Sequence, residues 1–393
     1  MIQVSPDTDD VRQEVIIIGA SARAAAFSAR RSGLTPICID RFADLDLQQV
    51  ADATRVTDYP AGILTALQAW EHQPALYVGG IENHTTLVQQ LAASRPLFGN
   101  SVEILARVRD PFQLSAEFAK ARFPCLEVRP TDEPPPRDEQ WLLKPLKGTG
   151  GRGIAVWDKS AGMLDEPGYF QRRQSGDSHS AVFVAPAGTT DVRFVGMTRQ
   201  LDGAELLGAP QFAWCGSVGP VTLGIEAEHM VRRIGNFLSW RFGLCGLFGF
   251  DFILDDAEVP WVTEVNPRYP ASAEVLEHVC GLTLIGDHCR AFCNEWPPLA
   301  ETPPNPVHAM GKFVLYARAA LEVPEPDRWL LNADLDSADL WQRTPRIADI
   351  PPAGTRLQAG EPMCTLFTTG QSRVECLEQL PPLIQDTESR LLV

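Results

Sequence analysis

Asp251, Glu264 and Asn266 carry the kinds of side chain that Mg²⁺ prefers in proteins. Two carboxylates and an amide oxygen are hard ligands, and Mg²⁺ usually completes its octahedron with waters and nucleotide phosphates. Arg268, just beyond them, offers a guanidinium fork for phosphate or carboxylate oxygens. These residue types indicate chemistry on a phosphate-bearing substrate, provided that the fold brings them to one place.

A β-hairpin would position these side chains. Residues 249–254 and 261–268 are rich in aromatic and β-branched residues, and an acidic segment separates them. With a two-residue turn at 257–258, antiparallel pairing sets Asp251 opposite Glu264, with Asn266 on the same face. Opposed like charges destabilise a sheet unless something positive lies between them. The alternative is a solvated hairpin with surface acids.

Residues 141–157 predict a strand, a glycine-rich loop and a second strand. Glycine lets backbone N–H groups approach phosphate oxygens, and the segment also supplies Lys144, Lys147 and Arg152. No Gly-Lys-Ser/Thr triplet closes the loop, so it is not a P-loop. Glycines also serve ordinary turns, so this loop is weak evidence by itself. Its four glycines are Gly148, Gly150, Gly151 and Gly153.

Residues 169–177 offer a second candidate contact with a nucleotide. A hinge between two lobes can hydrogen-bond adenine through its backbone, and Asp177, the acid after the hinge, would reach the ribose. Nothing in the local sequence proves this. Arg193 adds another candidate phosphate contact, with a surface salt bridge as an equal alternative.

The N-terminal part of the chain predicts a doubly wound βαβ unit, with strands at 14–19, 35–40 and 75–78. Ligands of such sheets collect at the carboxyl ends of the strands, which makes Glu82 and Asn83 candidate substrate contacts. A turn or helix-cap role for Asn83 is an equal alternative. A nicotinamide dinucleotide is disfavoured here, because the first turn offers one glycine where the fingerprint has three.

Composition excludes several classes of protein. A formal net charge of −16 argues against sequence-independent binding of nucleic acid or of an anionic membrane. The apolar stretches are too short for a membrane span, and the acidic start does not resemble a signal peptide. The nine cysteines fit free thiols, so we expect a cytoplasmic protein. A zinc site among the histidines and cysteines of 278–293 is a minor alternative to helix packing.

The order of the motifs resembles the ATP-grasp superfamily. A Lys-Pro pair precedes the glycine loop, then come the hinge, Phe-Asp-Phe at 250–252 and Glu-Val-Asn-Pro-Arg at 264–268. The resemblance covers roughly residues 15–300. Within the superfamily, residues 216–220 and 266–274 look most like the uncharacterised ATP-grasp proteins associated with tetrahydromethanopterin-linked one-carbon metabolism.

The resemblance implies an α/β and α+β fold in three parts. A Rossmann-like pre-ATP-grasp domain is expected over 1–105, the ATP-grasp nucleotide-binding and catalytic domains over 106–300, and a small C-terminal β-rich domain over 301–393. Helices are expected at 111–122, 223–242 and 273–294, a proline-rich linker at 296–306, and a strand at 310–317.

The resemblance also implies ATP as a ligand with one or two magnesium ions. Asp251, Glu264 and Asn266 would hold the metal, and Arg268 and Arg193 would act in catalysis. The superfamily usually has Asp-Lys at the start of the nucleotide domain, where this chain has Asp110-Pro111. Arg107 or Arg109 would then replace the lysine. The residues expected to bind the nucleotide are Lys144, Lys147, Gly148, Gly150, Gly151, Gly153, Gln171, Arg172, Arg173 and Asp177.

The activity that the resemblance implies is that of an ATP-dependent, ADP-forming carboxylate–amine ligase. Such enzymes phosphorylate a small carboxylate and let an amine attack the acyl phosphate, which suits a site of Lys, Arg and backbone amides without a protein nucleophile. Tetrahydromethanopterin-linked metabolism is the expected context, and a homodimer is left open. The alternatives are a bicarbonate-using carboxylase, a non-catalytic nucleotide-binding regulator and, least favoured, an oxidoreductase.

Overall fold

The first part of the chain forms a five-stranded parallel sheet of strand order β3-β2-β1-β4-β5. The computed structural model describes residues 13–186, 192–293, 308–330, 335 and 339–391. The three predicted strands are confirmed, but β3 was missed because its short sequence, Asp-Ala-Thr-Arg, has no apolar run. The elements are β1 (Glu14–Gly19), α1 (Arg23–Arg31), β2 (Thr35–Asp40), α2 (Leu45–Gln48), β3 (Asp52–Arg55), α3 (Ile63–Ala66), β4 (Ala75–Tyr77), α4 (Thr85–Ser94) and β5 (Leu97–Phe98).

Two helices then lead into a four-stranded antiparallel sheet of order β6-β9-β7-β8. The helix predicted at 111–122 is confirmed. Asp110 caps it by accepting from the backbone N–H groups of Phe112 and Gln113, and Pro111 occupies the first turn. The elements are α5 (Val102–Val108), α6 (Pro111–Ala121), β6 (Val128–Pro130), β7 (Trp141–Pro145), β8 (Ala155–Val156) and β9 (Gly168–Arg172).

The next segment supplies most of an eight-stranded sheet. The helix predicted at 223–242 is confirmed, whereas the single helix predicted at 273–294 is wrong. Gly281 adopts φ +64° and ends the first of two shorter helices there. The elements are β10 (Asp177–Ala185), β11 (Arg193–Asp202), β12 (Trp214–Gly219), α7 (Ile225–Phe242), β13 (Gly246–Leu254), β14 (Pro260–Asn266), α8 (Ala273–Cys280) and α9 (Leu284–Phe292).

The C-terminal segment adds three strands to that sheet, whose order is β14-β13-β10-β11-β12-β15-β19-β17. The strand predicted at 310–317 is confirmed, and the segment also ends in two helices. The linker predicted at 296–306 lies outside the described residues, and the three domain limits stay predictions. The elements are β15 (Ala309–Tyr316), β16 (Leu321–Glu322), α10 (Pro326–Trp329), β17 (Ile347–Ala348), β18 (Arg356–Leu357), β19 (Pro362–Gly370), α11 (Arg373–Glu378) and α12 (Leu380–Leu391).

One apolar cluster joins the parallel sheet to the large antiparallel sheet. Val15, Ile17 and Phe27 lie in it from the N-terminal side, and Val182 and Leu247 from β10 and β13. Complete burial of one such side chain contributes about 1.5–3 kcal/mol, so this cluster fixes the carboxyl ends of the parallel strands beside the hairpin. In the described part of the chain, no helix is long and apolar enough to cross a membrane.

Candidate active site

The hairpin brings its two carboxylates together as predicted, but by a different route. Asp251 pairs with Glu264 across β13 and β14. The loop takes five residues, 255–259, because Leu254 pairs with Pro260, so the two-residue turn predicted at 257–258 is wrong. Thr263 is an extra, unpaired residue on β14. It shifts the pairing of the two strands by one position, so that Asp251 again faces Glu264. The bulge therefore lies next to the carboxylate pair that it aligns.

Asp251 has two amide donors and an acidic neighbour. Gln200 Nε2 donates to Asp251 Oδ1 at 3.0 Å, and Asn266 Nδ2 donates to Asp251 Oδ2 at 3.0 Å. Burial, followed by the charge of Glu264, raises the pKa of Asp251 to about 8. Without a cation, the pair thus keeps a proton on Asp251 at neutral pH.

Glu264 behaves in the opposite way. Burial acts to raise its pKa, but the positive charges of Arg109 and Lys144 outweigh burial and hold the pKa of Glu264 below its usual value. Arg109 Nη1 lies 3.6 Å from Glu264 Oε2, and 39% of the Glu264 side chain is exposed within the cavity. Glu264 is therefore ready to receive a cation as a carboxylate.

These donors fit a magnesium ion. Among the described residues no three His, Cys, Asp or Glu side chains converge, so the ligands on offer are two carboxylates and one amide. That donor set suits Mg²⁺, which keeps waters and phosphate oxygens in its shell. Asn266 at present donates its amide nitrogen to Asp251 and accepts from Arg268, so it would have to present its amide oxygen to the ion.

Arg268 is held by an acid from the N-terminal sheet. Its Nε atom lies 3.0 Å from Glu82 Oε1, its Nη2 atom donates to Asn266 Oδ1 at 3.2 Å, and only 12% of its side chain is exposed. Its guanidinium also lies against Gly79, where a Cβ would come 3.6 Å from Cζ. Glu82 is thus a partner of Arg268 and does not line the cavity.

The glycine loop between β7 and β8 is held by Asn83. The Asn83 side-chain amide donates to Lys147 O at 3.2 Å, Gly148 O at 3.3 Å and Thr149 Oγ1 at 3.0 Å. Arg109 Nη2 donates to Gly148 O at 3.2 Å and to Asn83 Oδ1 at 3.1 Å. Asn83 and Arg109 therefore position the loop over the cavity.

Lys144 and the hinge form the next wall. Lys144 is buried and donates to Gln171 Oε1 at 3.0 Å, and Gln171 Nε2 donates to Thr263 O at 3.2 Å. These bonds connect β7, β9 and the bulge of the hairpin. Asp177, expected near a ribose, instead pairs with Arg199 at 2.7 Å, and 55% of its side chain is exposed.

Most of the predicted site residues line one cavity of about 950 Å³, between the carboxyl ends of the parallel strands and the antiparallel sheets. The predicted residues at its wall are Lys144, Gly148, Gly150, Gly151, Gln171, Arg172, Arg173, Asp251, Glu264, Asn266 and Arg268. Those that do not line it are Glu82, Asn83, Lys147, Gly153, Asp177 and Arg193.

Arg193 is not brought to the site. It lies at the start of β11, and its guanidinium pairs with Asp287 of α9. Gln200, near the other end of the same strand, is the residue that reaches Asp251. The structure thus corrects the placement on which the predicted catalytic role of Arg193 depended.

Sequence reasoning missed Gln200 and Asp202, which line the cavity. Burial raises the pKa of Asp202, and the charge of Glu264 acts in the same direction. The alternation of polar Thr198, Gln200 and Asp202 along one face of a strand was the signal available.

The two arginines proposed as substitutes for the missing lysine differ. Arg109 lines the cavity, whereas Arg107 donates to Arg241 O at 3.0 Å and lies outside it. The zinc alternative has no support among the described residues, where no metal-binding group of His, Cys and acidic side chains occurs. His288 instead accepts from Leu247 N at 2.8 Å and contacts Phe98 O at 2.9 Å within the core.

Comparisons with known proteins agree with this architecture. A family model described as an ATP-grasp domain matches residues 108–272. The chain is 25% identical over 382 residues to a formate-dependent phosphoribosylglycinamide formyltransferase of Parasynechococcus marenigrum (strain WH8102), and the match covers 90% of this chain and 88% of that protein.

Two solved structures share the fold. The L-amino acid ligase from Bacillus licheniformis aligns with a TM-score of 0.68 at 13% identity, covering 96% of this chain and 98% of that chain. The biotin carboxylase domain of 2-oxoglutarate carboxylase from Hydrogenobacter thermophilus, solved with MgADP and bicarbonate, aligns with a TM-score of 0.71 at 12% identity, covering 96% and 95%. The matched domain and the two aligned structures show that the chain has the ATP-grasp fold, with an ATP-grasp domain over residues 108–272.

Proposed function

We propose that the protein activates a small carboxylate by transfer of the γ-phosphoryl group of ATP and joins the resulting acyl phosphate to an amine. The observation that carries the proposal is the convergence of Asp251, Glu264 and Arg268 with Lys144 and the glycine loop around one cavity. Phosphoryl transfer requires positioning and neutralisation of charge more than a protein nucleophile, and these groups supply both.

The reaction has two steps. First, a carboxylate oxygen attacks the γ-phosphorus, the bond to the β-phosphate oxygen breaks, and ADP leaves. Then the amine nitrogen attacks the carbonyl carbon, the C–O bond to phosphate breaks, and inorganic phosphate leaves with that electron pair. The amine loses a proton as the C–N bond forms.

Each wall of the cavity has a part in these steps. The backbone of the glycine loop and Lys144 would bind the nucleotide phosphates, while Asp251, Glu264 and Asn266 would hold magnesium. When bound, magnesium neutralises the charge that builds up on the phosphate oxygens. Arg268, partly buried and oriented by Glu82, would stabilise the transferred phosphoryl group and the acyl phosphate.

The choice of carboxylate rests on the relatives. The formyltransferase is by its name formate-dependent, which supports formate as the first carboxylate to test and a primary amine as the acceptor. Tetrahydromethanopterin-linked metabolism stays a prediction that depends on short motifs. Bicarbonate is a second candidate, because it is bound in the Hydrogenobacter structure of the same fold.

Hydroxylamine trapping tests the proposal, because hydroxylamine converts an acyl phosphate to a stable hydroxamate. With ATP, Mg²⁺ and formate we expect hydroxamate and ADP in equal amounts, and a loss of about 100-fold or more in Glu264→Gln. Glu226→Gln, the same change on the exposed side of α7, is the matched control and should behave as wild type. ATP binding without ADP release from formate or bicarbonate would favour a regulatory nucleotide-binding role instead.

A further inference from the structure

The cavity extends beyond the phosphate-binding residues to a second end that they do not explain. This end lies beside the loop that follows β2 and is closed by residues of β19 and of the segment before it. Asp44, Asp349 and Thr365 line it, together with Arg23 and Lys312. We refer to these five residues as the acidic end.

Asp44 is the unusual member of the acidic end. Only 6% of the residue is exposed, yet its carboxylate makes no hydrogen bond or ion pair with the described residues and does not cap α2, which it precedes. A buried carboxylate without a partner is costly, and an orphaned group of this kind facing a cavity indicates a ligand that completes it.

The neighbours of Asp44 are mostly acids. Burial, then the charges of Asp349, Asp46 and Asp40, hold its pKa well above the usual value, and Arg23 opposes them. The other acids have partners: Asp40 accepts from three backbone N–H groups, and Asp46 accepts from those at 349 and 350.

The cations of the acidic end are already engaged. Arg23 Nη1 lies 2.6 Å from Glu274 Oε1, and its Nε lies 2.8 Å from Asp349 Oδ1. Lys312 Nζ lies 2.7 Å from Glu274 Oε2. Neither cation of the acidic end therefore pairs with Asp44.

Three further arginines line the same cavity, but they are exposed. Arg41, Arg55 and Arg356 lie on the solvent side, and 82% of the Arg356 side chain is accessible. Water and salt screen charges in that position, whereas they screen a buried carboxylate much less. The buried carboxyl group of Asp44 therefore has more influence than these arginines on which ligand group binds at this end.

From these observations we propose that the acidic end binds an ammonium group of the acceptor substrate, with Asp44 as its carboxylate partner. A primary ammonium supplies the positive partner that no neighbouring side chain gives Asp44, and it has three N–H donors, enough for Asp44 and for the oxygens of neighbouring groups. Arg268 lies against Gly79, which follows β4, whereas Asp44 follows β2, so β1 lies between the strands that lead to the two positions. This assignment rests on the proposed ligase function and names the acceptor as a cationic amine.

Ligand-observed NMR titration of the full-length protein tests the assignment with glycinamide, a small primary ammonium, and with acetamide, which lacks the ammonium. We expect wild type to bind glycinamide at least tenfold more tightly than acetamide, and Asp44→Asn to lose at least tenfold of the glycinamide affinity. Asp256→Asn, the same change in the exposed hairpin loop, should leave it unaltered.

Equal affinity of wild type for glycinamide and acetamide would overturn the assignment. This comparison needs no variant, so the assignment can be tested even if Asp44→Asn does not fold. Full affinity in a folded Asp44→Asn would overturn it as well, and so would inorganic phosphate displacing glycinamide from this end. Hydroxamate formation by wild type reports on the ligase function separately. A protein that forms hydroxamate but ignores glycinamide would refute this inference alone.

Discussion

At the scale of single residues, the site depends on two carboxyl groups whose pKa values are shifted in opposite directions. Asp251 keeps a proton because it is buried beside Glu264, whereas Glu264 is kept ionised by Arg109 and Lys144. The sequence predicted that these two residues face each other, although from a two-residue turn that the structure does not have. The sequence could not show Gln200 as a donor to Asp251, because that contact depends on the pairing of β10 with both β11 and β13.

The affinity for magnesium should rise with pH up to about pH 8, because the ion must displace the proton on Asp251. The stability of the free protein depends on pH in the opposite way and should fall as pH rises. The folded protein holds this proton and the unfolded chain releases it near pH 3.8, so this stabilisation is present below about pH 4 and is lost as pH rises through about 8.

Calorimetric titration with Mg²⁺ from pH 6 to pH 8.5 measures this dependence, with urea unfolding of the free protein as the second readout. Asp251→Asn should bind magnesium at least tenfold more weakly at pH 8. Its free energy of unfolding should no longer fall with rising pH in the way that the wild type's does. Asp256→Asn is the control of equal charge. Magnesium affinity that is the same at pH 6 and pH 8.5 would refute the proton assignment.

At the scale of elements, the hairpin shows what sequence can and cannot predict. Its strands and the facing of Asp251 and Glu264 were predictable from apolar and β-branched residues. The five-residue loop and the bulge at Thr263 were not predicted. The loop shifts the strand pairing by one residue and the bulge shifts it back, so Asp251 faces Glu264 with or without them. The position of the glycine loop was equally hidden, since Asn83, which holds it, lies more than sixty residues earlier in the chain.

Asn83→Ala should loosen the glycine loop, because it removes the two N–H donors that the Asn83 amide shares among three oxygens of that loop, and one such hydrogen bond contributes about 1 kcal/mol net. We expect the KM for ATP to rise about tenfold, with a smaller change in kcat, and faster proteolytic cleavage within 146–153. Steady-state kinetics and limited proteolysis measure these effects. Gln90→Ala, on the exposed face of α4, is the control. An unchanged KM with an intact cleavage pattern would show that Asn83 does not position the loop.

At the scale of the whole molecule, a buried ionic cluster ties distant parts of the chain together. Arg23 of α1 contacts Glu274 of α8, Asp349 before β19 and Asp46 of α2. No local pattern in the sequence could reveal this cluster, because its members are up to 326 residues apart. The C-terminal segment, expected as a small β-rich domain, adds strands to the large sheet and lines the cavity with residues 349–365.

Arg23→Met should destabilise the protein by about 3–5 kcal/mol, because it leaves Glu274 and its acidic neighbours without their main partner in a buried place. Urea unfolding at pH 7.5 measures the change in the free energy of unfolding. Arg373→Met, at an exposed position, should change it by less than about 0.5 kcal/mol. A change as small at Arg23 as at Arg373 would contradict the structural role of the cluster.

Formation of an acyl phosphate moves an oxygen atom from the carboxylate to the phosphate, and an oxygen isotope label follows that transfer. Wild-type protein is incubated with ATP, Mg²⁺, hydroxylamine and formate labelled with ¹⁸O in both oxygens, and the inorganic phosphate is examined by ³¹P NMR. If the carboxylate oxygen attacks the γ-phosphorus, each phosphate released carries one ¹⁸O atom, and Glu264→Gln releases almost none. Unlabelled phosphate accompanying ADP release would mean that water is the nucleophile, which would contradict the formation of an acyl phosphate.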